Sequence, residues 1–348
     1  MSLSVDRLSL SSEQYTRWCA ETPSLPLYMQ PWWLLAASGC EEMSVLATMG
    51  GKEAAPTLVW PLFMPTRRHL IVTPYCQFTG PLSDRSGAVG EEPFDRDRYI
   101  AHLAAMEALG EALPSSLRYI EAHLPLDYWD WLPNETPAGV WRSSVAYTHR
   151  LDLTQRPPQE LYNSLIRRKI RRATALGLRE LWAEATKEET KEATNVATCA
   201  EMLVELCRKS LQRSGGDRLC ASSLRRLVTA AVARGQGALL LLLSPHTDEP
   251  VAGAFVAHHA GTAYYIAGGQ ARTSEGEDAM ALLLDRLITW SREADCHTFD
   301  FEGSIQHGIA FFFRSFGAVP HPYLRLQAGR QTLAMRLQLR RYYLQHLY

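Results

Sequence analysis

The sequence has no hydrophobic run long enough to cross a membrane. Apolar stretches such as GALLLLLS, residues 237–244, fall far short of the roughly 20 residues that a membrane helix needs. The first residues, MSLSVDRLSLSSEQYTRW, lack a basic region followed by an apolar one, so they do not resemble a signal peptide. We therefore expect a cytoplasmic protein with no stable membrane insertion.

Paired cysteines are also missing. The seven cysteines are scattered, their number is odd and none forms a CxxC pair. This favours reduced thiols and argues against a zinc site. His258 and His259 lie in an apolar stretch, where a structural role is more common than metal binding. We expect no bound metal.

Net charge and well-known catalytic signatures are sparse as well. A formal net charge of -1 gives the whole chain no attraction for nucleic acid or an anionic membrane. The sequence contains no GxSxG, HExxH, GxGxxG or P-loop motif. These absences argue against a serine hydrolase of the α/β type, a zinc protease and a dinucleotide-binding protein.

What is present is a patterned globular chain. Its 348 residues, 46% of them hydrophobic, favour two domains. The first half predicts, in order, a helix at PWWLLAASG, strands at MSVLATM, APTLVWPLFM and RHLIVTPY, a helix over 98–113, a strand at LRYIEAHL, a helical turn at DYWDWL and a strand at VWRSSVAYTHRLDL. Gly39 closes the first helix.

The second half repeats this order of elements. It predicts strands at GALLLLLS, EPVAGAFVAHHA and GTAYYIAGG, a helix at EDAMALLLDRLITWSREA, a strand at HTFDFEG, a short helix at IQHGIAFFFRSFG and a strand at VPHPYLRL. Three helical segments separate the halves, and Arg156-Pro157-Pro158 marks the boundary. We predict domains at 1–152 and 153–348, the second with inserted helices and a basic C-terminal helix.

A basic run, RRKIRR at residues 167–172, is the sharpest electrostatic feature. It has five positive charges in six residues, and no acid occurs between Glu160 and Glu180. At helical spacing one apolar stripe forms, opposite the arginines; its members are Tyr162, Ile166, Ile170 and Ala173. The basic face is either solvated or meets phosphate on a nucleotide, a tRNA or a lipid-linked pyrophosphate.

A second basic run closes the chain. After Tyr323 there are five arginines and no acids, interleaved with leucine and tyrosine. A helix packed on the second domain is the expected structure, with a helix at a membrane surface as the alternative.

The segment HTFDFEGSIQHGIAFFFRSFGAVPHPY, residues 297–323, combines acids with much aromatic surface. Asp300 and Glu302 alternate with phenylalanines at strand period, and Ser304 can cap the following helix. A carboxylate at the strand end can accept a proton from an amine, so we predict Glu302 as catalytic base and His307 as the alternative. Glu302 can instead simply hydrogen-bond neighbouring backbone.

The aromatic residues after that strand are predicted to divide in role. At helical spacing, Ile309, Phe312, Phe313 and Phe316 face the sheet. Arg314 then points the other way, toward Glu302 and His307.

Two further stretches contribute candidate substrate contacts. TPYCQFTGP, residues 73–81, is rich in turn formers and carries Tyr75 and Gln77. AYYIAGGQ carries Tyr264 and Gln270, and its Gly268-Gly269 pair permits close approach of another backbone.

Together these features resemble the FemABX-type members of the GNAT (acyl-CoA N-acyltransferase) superfamily. The resemblance covers nearly the whole chain in organisation and is specific at TPYCQFTGPL, at NSLIRRKIRRATALG and over residues 279–316. It implies an α/β (α+β) fold of two tandem GNAT-like domains, each a twisted mixed sheet flanked by helices.

The resemblance also implies roles for residues. The strand Ala263–Gly268, with Ile266 inside it, would offer backbone amides to an acyl carbonyl. Arg168, Lys169 and Arg172 would lie near an anionic donor or acceptor. The GNAT pyrophosphate loop should follow that strand, but GGQARTSEGEDAM keeps only fragments of it.

Three functions follow from this resemblance. The first is an N-acyltransferase or aminoacyltransferase that modifies a small-molecule or cell-wall-precursor amine, with aminoacyl-tRNA or acyl-CoA as donor. The second is an acyl-CoA-dependent N-acetyltransferase with a divergent pyrophosphate loop. The third is a non-catalytic module that binds an anionic ligand on the same fold.

Overall fold

A computed structural model describes residues 4–22, 25–40, 43–49, 56–83, 96–125, 136–184, 192–213, 219–273, 275–303 and 307–338. The chain divides into two compact units. The first contains the chain up to Ala146 and a segment that begins at Pro322, and the second contains Tyr147–His321.

Strands and helices alternate along the described chain. The strands are β1 (Ser4–Ser9), β2 (Ser44–Met49), β3 (Pro56–Leu62), β4 (His69–Leu70), β5 (Leu82–Ser83), β6 (Tyr119–Pro125), β7 (Trp141–Asp152), β8 (Arg179–Glu184), β9 (Gly237–Leu243), β10 (Pro250–His259), β11 (Thr262–Gln270), β12 (Thr298–Gly303) and β13 (Val319–Gly329). The helices are α1 (Glu13–Glu21), α2 (Pro31–Ser38), α3 (Arg96–Glu111), α4 (Pro158–Leu161), α5 (Ser164–Ala175), α6 (Glu192–Arg213), α7 (Ala221–Ala233), α8 (Gly276–Glu293) and α9 (His307–Arg314).

The first unit has two strand groups. Strands β1, β2, β3 and β5 pair in that order, all antiparallel. Separately, β6 pairs in parallel with β4 and antiparallel with β13. From its place in the sequence, the β13 segment was predicted as the last strand of the second half. In the structure its backbone groups from Tyr323 to Gly329 pair with β6. Pairing between strands that are far apart in the chain depends on tertiary contacts, which local sequence patterns do not encode.

The second unit is built on one mixed sheet. Its strand order is β7-β12-β11-β10-β9-β8, with only the β11–β12 pair parallel. Every residue of β9 is buried, because both of its faces are covered. Leu240 and Leu242 pack in a core with α8, while Leu241 lies beside Gly253 near Leu203 of α6. A strand covered on both faces reads as a continuous apolar run, and GALLLLL is one.

Most predicted elements are present. Gly39 ends α2 in the left-handed conformation at φ 63°, as expected for a glycine that closes a helix. The strand predicted at RHLIVTPY shrinks to two residues, and DYWDWL lies outside the described residues. Strands β1 and β8 and helix α1 were not predicted. Both strands are sheet edges with partly exposed faces, so their apolar pattern is weak.

Glu121 of β6 lies in a polar cluster of the first unit. Its Oε1 accepts a hydrogen bond from Arg325 Nη2 at 3.1 Å and lies 3.5 Å from His123 Nε2. Its Oε2 accepts from the Tyr119 hydroxyl at 3.2 Å. Burial acts to raise the pKa of Glu121, but the His123 and Arg325 side chains outweigh it and lower the pKa to about 2.

This lowered pKa predicts acid-sensitive stability. A carboxyl whose folded-state pKa is below its unfolded value stabilises the fold above the unfolded pKa, and that stabilisation disappears as the pH falls toward the folded value. Between pH 5 and pH 2 we expect the wild type to lose about 2 kcal/mol more unfolding free energy than Glu121→Gln. Urea unfolding at stepped pH measures this, with exposed Glu107→Gln as control. Parallel pH profiles for wild type and Glu121→Gln would contradict the assignment.

Candidate active site

The parallel strands β11 and β12 separate along their length. They pair through Thr262–Thr298, Ala263–Phe299 and Tyr264–Asp300. Beyond Tyr264, β11 continues to Gln270 without a β12 partner within the described residues. The backbone N–H and C=O groups of this edge of β11 are therefore not paired by any described residue of β12, and we call the gap between the two strands the β11–β12 opening.

A bulge sets the geometry of β11 at the opening. Phe255 of β10 pairs with Ala267 and the next residue, Val256, pairs with Tyr265, so Ile266 is the extra residue. A bulge bends and twists a strand and often lies beside an active site. Ile266, predicted to line the site, therefore lies where β11 turns away from β12.

The far end of β11 is held by α6. A side chain at Gly269 would meet the backbone of Leu206 and Cys207 at 2.5–2.6 Å, so glycine is required for this packing. The Gln270 N–H donates to Ser210 Oγ at 3.1 Å, and its carbonyl accepts from Arg213 Nη2 at 2.6 Å. The close backbone approach predicted for the glycine pair is thus made by α6.

On β12, Asp300 is an anchor rather than a solvated acid. Its side chain is fully buried. Oδ1 accepts hydrogen bonds from the Thr148 hydroxyl and from the Glu302 N–H at 2.8 Å, and Oδ2 accepts from Arg150 Nε at 2.9 Å. The carboxylate of Asp300, which was expected on an acidic face of this strand, therefore has its hydrogen bonds made by other groups of the protein.

The bond from Asp300 fixes the backbone of Glu302. Glu302 has φ 64°, the left-handed region that a residue with a side chain rarely adopts. Such strain costs on the order of 1–3 kcal/mol and tends to accumulate at functional sites. Glu302 is half-buried at the end of β12, where the strand has already left β11.

Tyr264 lies on β11 opposite Asp300 and is buried. Burial first, and then the Asp300 carboxylate, raise the pKa of its hydroxyl well above the usual range. Tyr264 therefore stays protonated at neutral pH.

Helix α9 and the residues just after it pack their aromatic side chains largely as predicted. Phe313 and Phe316 are buried and contact Phe301 at ring-centroid distances of 4.8 and 5.7 Å. Phe312 is half-buried and meets Phe316 edge-on at 5.3 Å. The expected burial of Ile309 is wrong, since it is 40% exposed near the start of the helix.

The polar residues of α9 lie on its exposed side. His307, the first helical residue, is exposed and forms no hydrogen bond or ion pair with any described residue. Arg314 is exposed in the last turn, and its charge acts on His149. Ser304 and Gln306 lie outside the described residues.

Two histidines near Asp300 were not anticipated from the sequence. His149 on β7 is buried against the ring of Phe313, at 6.0 Å between centroids. Burial and then the Arg314 charge lower the pKa of His149, while Asp300 opposes them. Burial and the Arg150 charge likewise lower the pKa of His321. Both imidazoles are therefore biased toward the neutral form, which can accept a proton.

The basic helix α5 has some of its charges paired with an acid and others exposed to solvent. The predicted stripe is correct, since Tyr162, Ile166 and Ala173 are buried. On one edge, Lys169 Nζ and Arg172 Nε lie 3.3 and 2.9 Å from the carboxylate of Asp278. The sequence showed no acid nearby because this one comes from α8. Arg168 is exposed and has no acidic partner among the described residues.

Asp278 has a consequence for the start of α8. A helix N-terminus following the splayed strand is a ready anion site. Here the buried Asp278 carboxylate lies in the first turn of α8 and is neutralised by α5. Because Lys169 and Arg172 both pair with Asp278, these three side chains together are not negatively charged at the start of α8.

The remaining candidates belong to the first unit. Tyr75 has φ 55°, and its carbonyl accepts from Trp33 Nε1 at 3.2 Å. Gln77 is buried, and neither end of its side-chain amide has a hydrogen-bond partner among the described residues. The main-chain carbonyl oxygen of Gln77 lies 3.1 Å from His123 Nδ1.

Tyr264 and Ile266 lie on β11, Glu302 lies near the end of the neighbouring β12, and Arg314 lies in the last turn of α9. Lys169 and Arg172 are engaged with α8 instead. The residues that sequence reasoning missed, His149 and Asp278, carry no local motif and emerge only from tertiary contacts. Across the described chain no helix is long and apolar enough to span a bilayer. No group of three metal-ligating side chains is found there either.

Part of the chain matches a known protein family. Residues 163–308 match the family model described as an acetyltransferase (GNAT) domain. No curated protein sequence matches the chain.

Solved structures extend the likeness over the whole chain. FemX is 11% identical, with a TM-score of 0.59 over 92% of this chain and 96% of FemX. A tandem GNAT protein from the clavulanic acid biosynthesis pathway is 13% identical, with a TM-score of 0.54 over 94% of this chain and 98% of its own. L-PGS from Bacillus licheniformis is 10% identical, with a TM-score of 0.53 over 97% of each chain. The chain therefore has a mixed α/β, FemABX-like fold of the GNAT acyltransferase type.

Proposed function

We propose that this protein is an N-acyltransferase that moves an acyl or aminoacyl group onto an amine at the β11–β12 opening. The observation that carries the proposal is the separation of the two strands after Tyr264 and Asp300, with Glu302 held at the end of β12. An acyl donor in the opening would lie between a free strand edge and a carboxylate. That combination supplies the two things that acyl transfer needs.

The first requirement is stabilisation of the developing oxyanion. Backbone N–H groups of β11 beyond Tyr264 are fixed by the bulge at Ile266 and by the contacts of Gln270 with α6. Donors that are already in place when charge develops on the carbonyl oxygen lower the barrier without reorganising. In the proposed mechanism these groups hold the acyl carbonyl.

The second requirement is removal of a proton from the attacking amine. Glu302 is the proposed base, and the Asp300 carboxylate positions it through the Glu302 N–H. The amine nitrogen attacks the acyl carbon, its proton passes to the Glu302 carboxylate, and the donor's sulfur or oxygen leaves with the bonding electrons. In the proposed mechanism the protonated Tyr264 hydroxyl donates a proton or a hydrogen bond to the leaving atom.

The donor that we favour is an aminoacyl-tRNA rather than an acyl-CoA. The reason is that the segment GGQARTSEGEDAM keeps only fragments of the GNAT pyrophosphate loop. The acceptor class that we propose, a small-molecule or cell-wall-precursor amine, follows the FemABX resemblance.

A donor panel tests the function. Purified full-length protein is incubated with acetyl-CoA, alanyl-tRNA or lysyl-tRNA and with hydroxylamine, which traps an acyl group as a hydroxamate. We expect hydroxamate formation with aminoacyl-tRNA at least about ten times above that with heat-denatured protein, since preorganised hydrogen-bond donors at the acyl carbonyl typically contribute more than this. Transfer from acetyl-CoA alone would contradict the donor proposal. No transfer from any donor by folded protein would support a non-catalytic binding module.

A further inference from the structure

A cavity of about 460 Å³ lies in the second unit among α4, α5 and α8. Its volume is within the roughly 300–1,000 Å³ range of small-molecule sites. None of its lining residues belongs to the β11–β12 opening. The cavity therefore requires an explanation separate from the proposed transfer reaction.

Two arginines line the cavity from α5. Arg167 and Arg171 are one helical turn apart, so their side chains share an edge of the helix. Neither guanidinium has an acidic partner anywhere in the described chain, in contrast to Lys169 and Arg172 on the other edge. Two neighbouring like charges repel, and an anion between them would relieve that repulsion. Paired guanidiniums favour phosphate because each offers a planar fork of donors.

The N-terminus of α5 adds to this preference. Ser164, the first residue of this twelve-residue helix, also lines the cavity. The Asn163 side chain caps the Ile166 N–H at 3.0 Å, and the helix start retains partial positive charge. Helix end and arginines therefore attract the same kind of group.

The floor of the cavity has the opposite character. Asp285 is 5% exposed and accepts a hydrogen bond from Gln159 Nε2 at 3.0 Å. Arg286 Nη1 lies 3.5 Å from its other oxygen. Beside it, the Tyr162 hydroxyl is buried and interacts with Asp285. Burial and then Asp285 raise the pKa of Tyr162 far above neutrality, so this hydroxyl stays a donor.

We propose that this cavity binds a small hydroxylated phosphate ester, with its phosphate on Arg167 and Arg171 and a hydroxyl group toward Asp285. A bare anion would use the arginines but would meet the carboxylate at the floor. An uncharged polyol would use the floor but leave the arginines unpaired. A phosphate ester satisfies both, and the site does not depend on the proposed acyl transfer.

Isothermal titration of the full-length protein with ribose 5-phosphate, ribose and inorganic phosphate tests the site. We expect ribose 5-phosphate to bind at least about tenfold more tightly than either other probe, because only it engages both ends of the cavity. Equal affinity for inorganic phosphate, or no binding of ribose 5-phosphate at millimolar concentration, would overturn the proposal.

Matched variants locate the binding. Arg167→Ala and Arg171→Ala should each weaken ribose 5-phosphate binding about tenfold. Arg292→Ala removes the same charge from an exposed position on α8 outside the cavity and should change the affinity less than about twofold. A similar loss in all three variants would show non-specific attraction and would overturn the site.

The Asp285→Asn variant distinguishes the contribution of the ligand's hydroxyl group to binding from that of its phosphate. Removing the carboxylate should lower the preference for ribose 5-phosphate over inorganic phosphate about fivefold or more, because the hydroxyl contact weakens while repulsion of a bare anion is relieved. An unchanged preference in a variant with wild-type melting behaviour would reject the contact with Asp285. If that variant melts early, Gln159→Leu, which removes a support of the carboxylate, gives the same comparison.

Discussion

Replacing Asp300 with alanine is expected to lower the free energy of unfolding by about 3 kcal/mol. The carboxylate is fully buried and accepts hydrogen bonds from Thr148, Arg150 and the Glu302 N–H. Its loss leaves a buried hydroxyl and a backbone N–H unpaired and breaks an ion pair whose acid is buried, which typically costs several kcal/mol. Part of this cost is recovered because Arg150 is 37% exposed and can be hydrated.

Urea unfolding measures the change, and Glu201→Ala provides the control. Glu201 also pairs with an arginine, Arg225, at 2.5 Å, but its side chain is 58% exposed. An exposed pair contributes at most about 1 kcal/mol, so this variant should remain near wild type. If Asp300→Ala lost no more stability than Glu201→Ala, Asp300 would not be the anchor of β12.

Replacing Glu302 with glutamine is expected to lower the rate of acyl transfer to an ordinary primary amine by about 10²–10⁴-fold. Glutamine keeps the size of the side chain and the backbone N–H bond to Asp300, so the melting temperature should not fall. What it removes is the ability to take the proton from the attacking nitrogen. The loss should appear in kcat more than in KM.

The choice of nucleophile separates catalysis from structure. Hydroxylamine is largely unprotonated at neutral pH and a strong nucleophile, so it depends less on a base than an alkylamine does. Glu302→Gln should therefore retain most transfer to hydroxylamine while losing transfer to the alkylamine. Exposed Glu293→Gln should behave as wild type with both. Equal losses with both nucleophiles would assign Glu302 a structural role, and full activity would remove it from the mechanism.

Much of the second unit could be predicted from local pattern. The burial of β9 could be predicted from its continuous apolar run, and that of one face of α5 from its apolar stripe. The hairpins that join β9, β10 and β11 could be predicted from the short polar turns between the strands. These patterns depend on neighbours a few residues apart, where strand and helix periods act. The edge strand β8, by contrast, is only partly buried, so its sequence lacks the apolar pattern that predicts a strand.

The candidate site was predictable only in part. Glu302 could be chosen because it lies near the end of an alternating strand, but nothing in that pattern indicates its left-handed backbone or its N–H bond to Asp300. Asp278 meets Lys169 and Arg172 from a helix more than a hundred residues later in the chain. The pairing of β13 with β6 is longer in range still. Such contacts depend on which surfaces meet, and no local period encodes that.

The opening beyond Tyr264 is lined on one side by the main chain of β11. Every amino acid except proline supplies the same N–H group, so substitutions along this edge, except at Gly269 where α6 leaves no room for a side chain, can accumulate without removing the groups that would hold an acyl carbonyl. Recognition of this kind constrains the path of the chain rather than the identity of its residues. Proteins that share such a site can therefore diverge almost completely in sequence, and point mutations along β11 should tune the site more readily than abolish it.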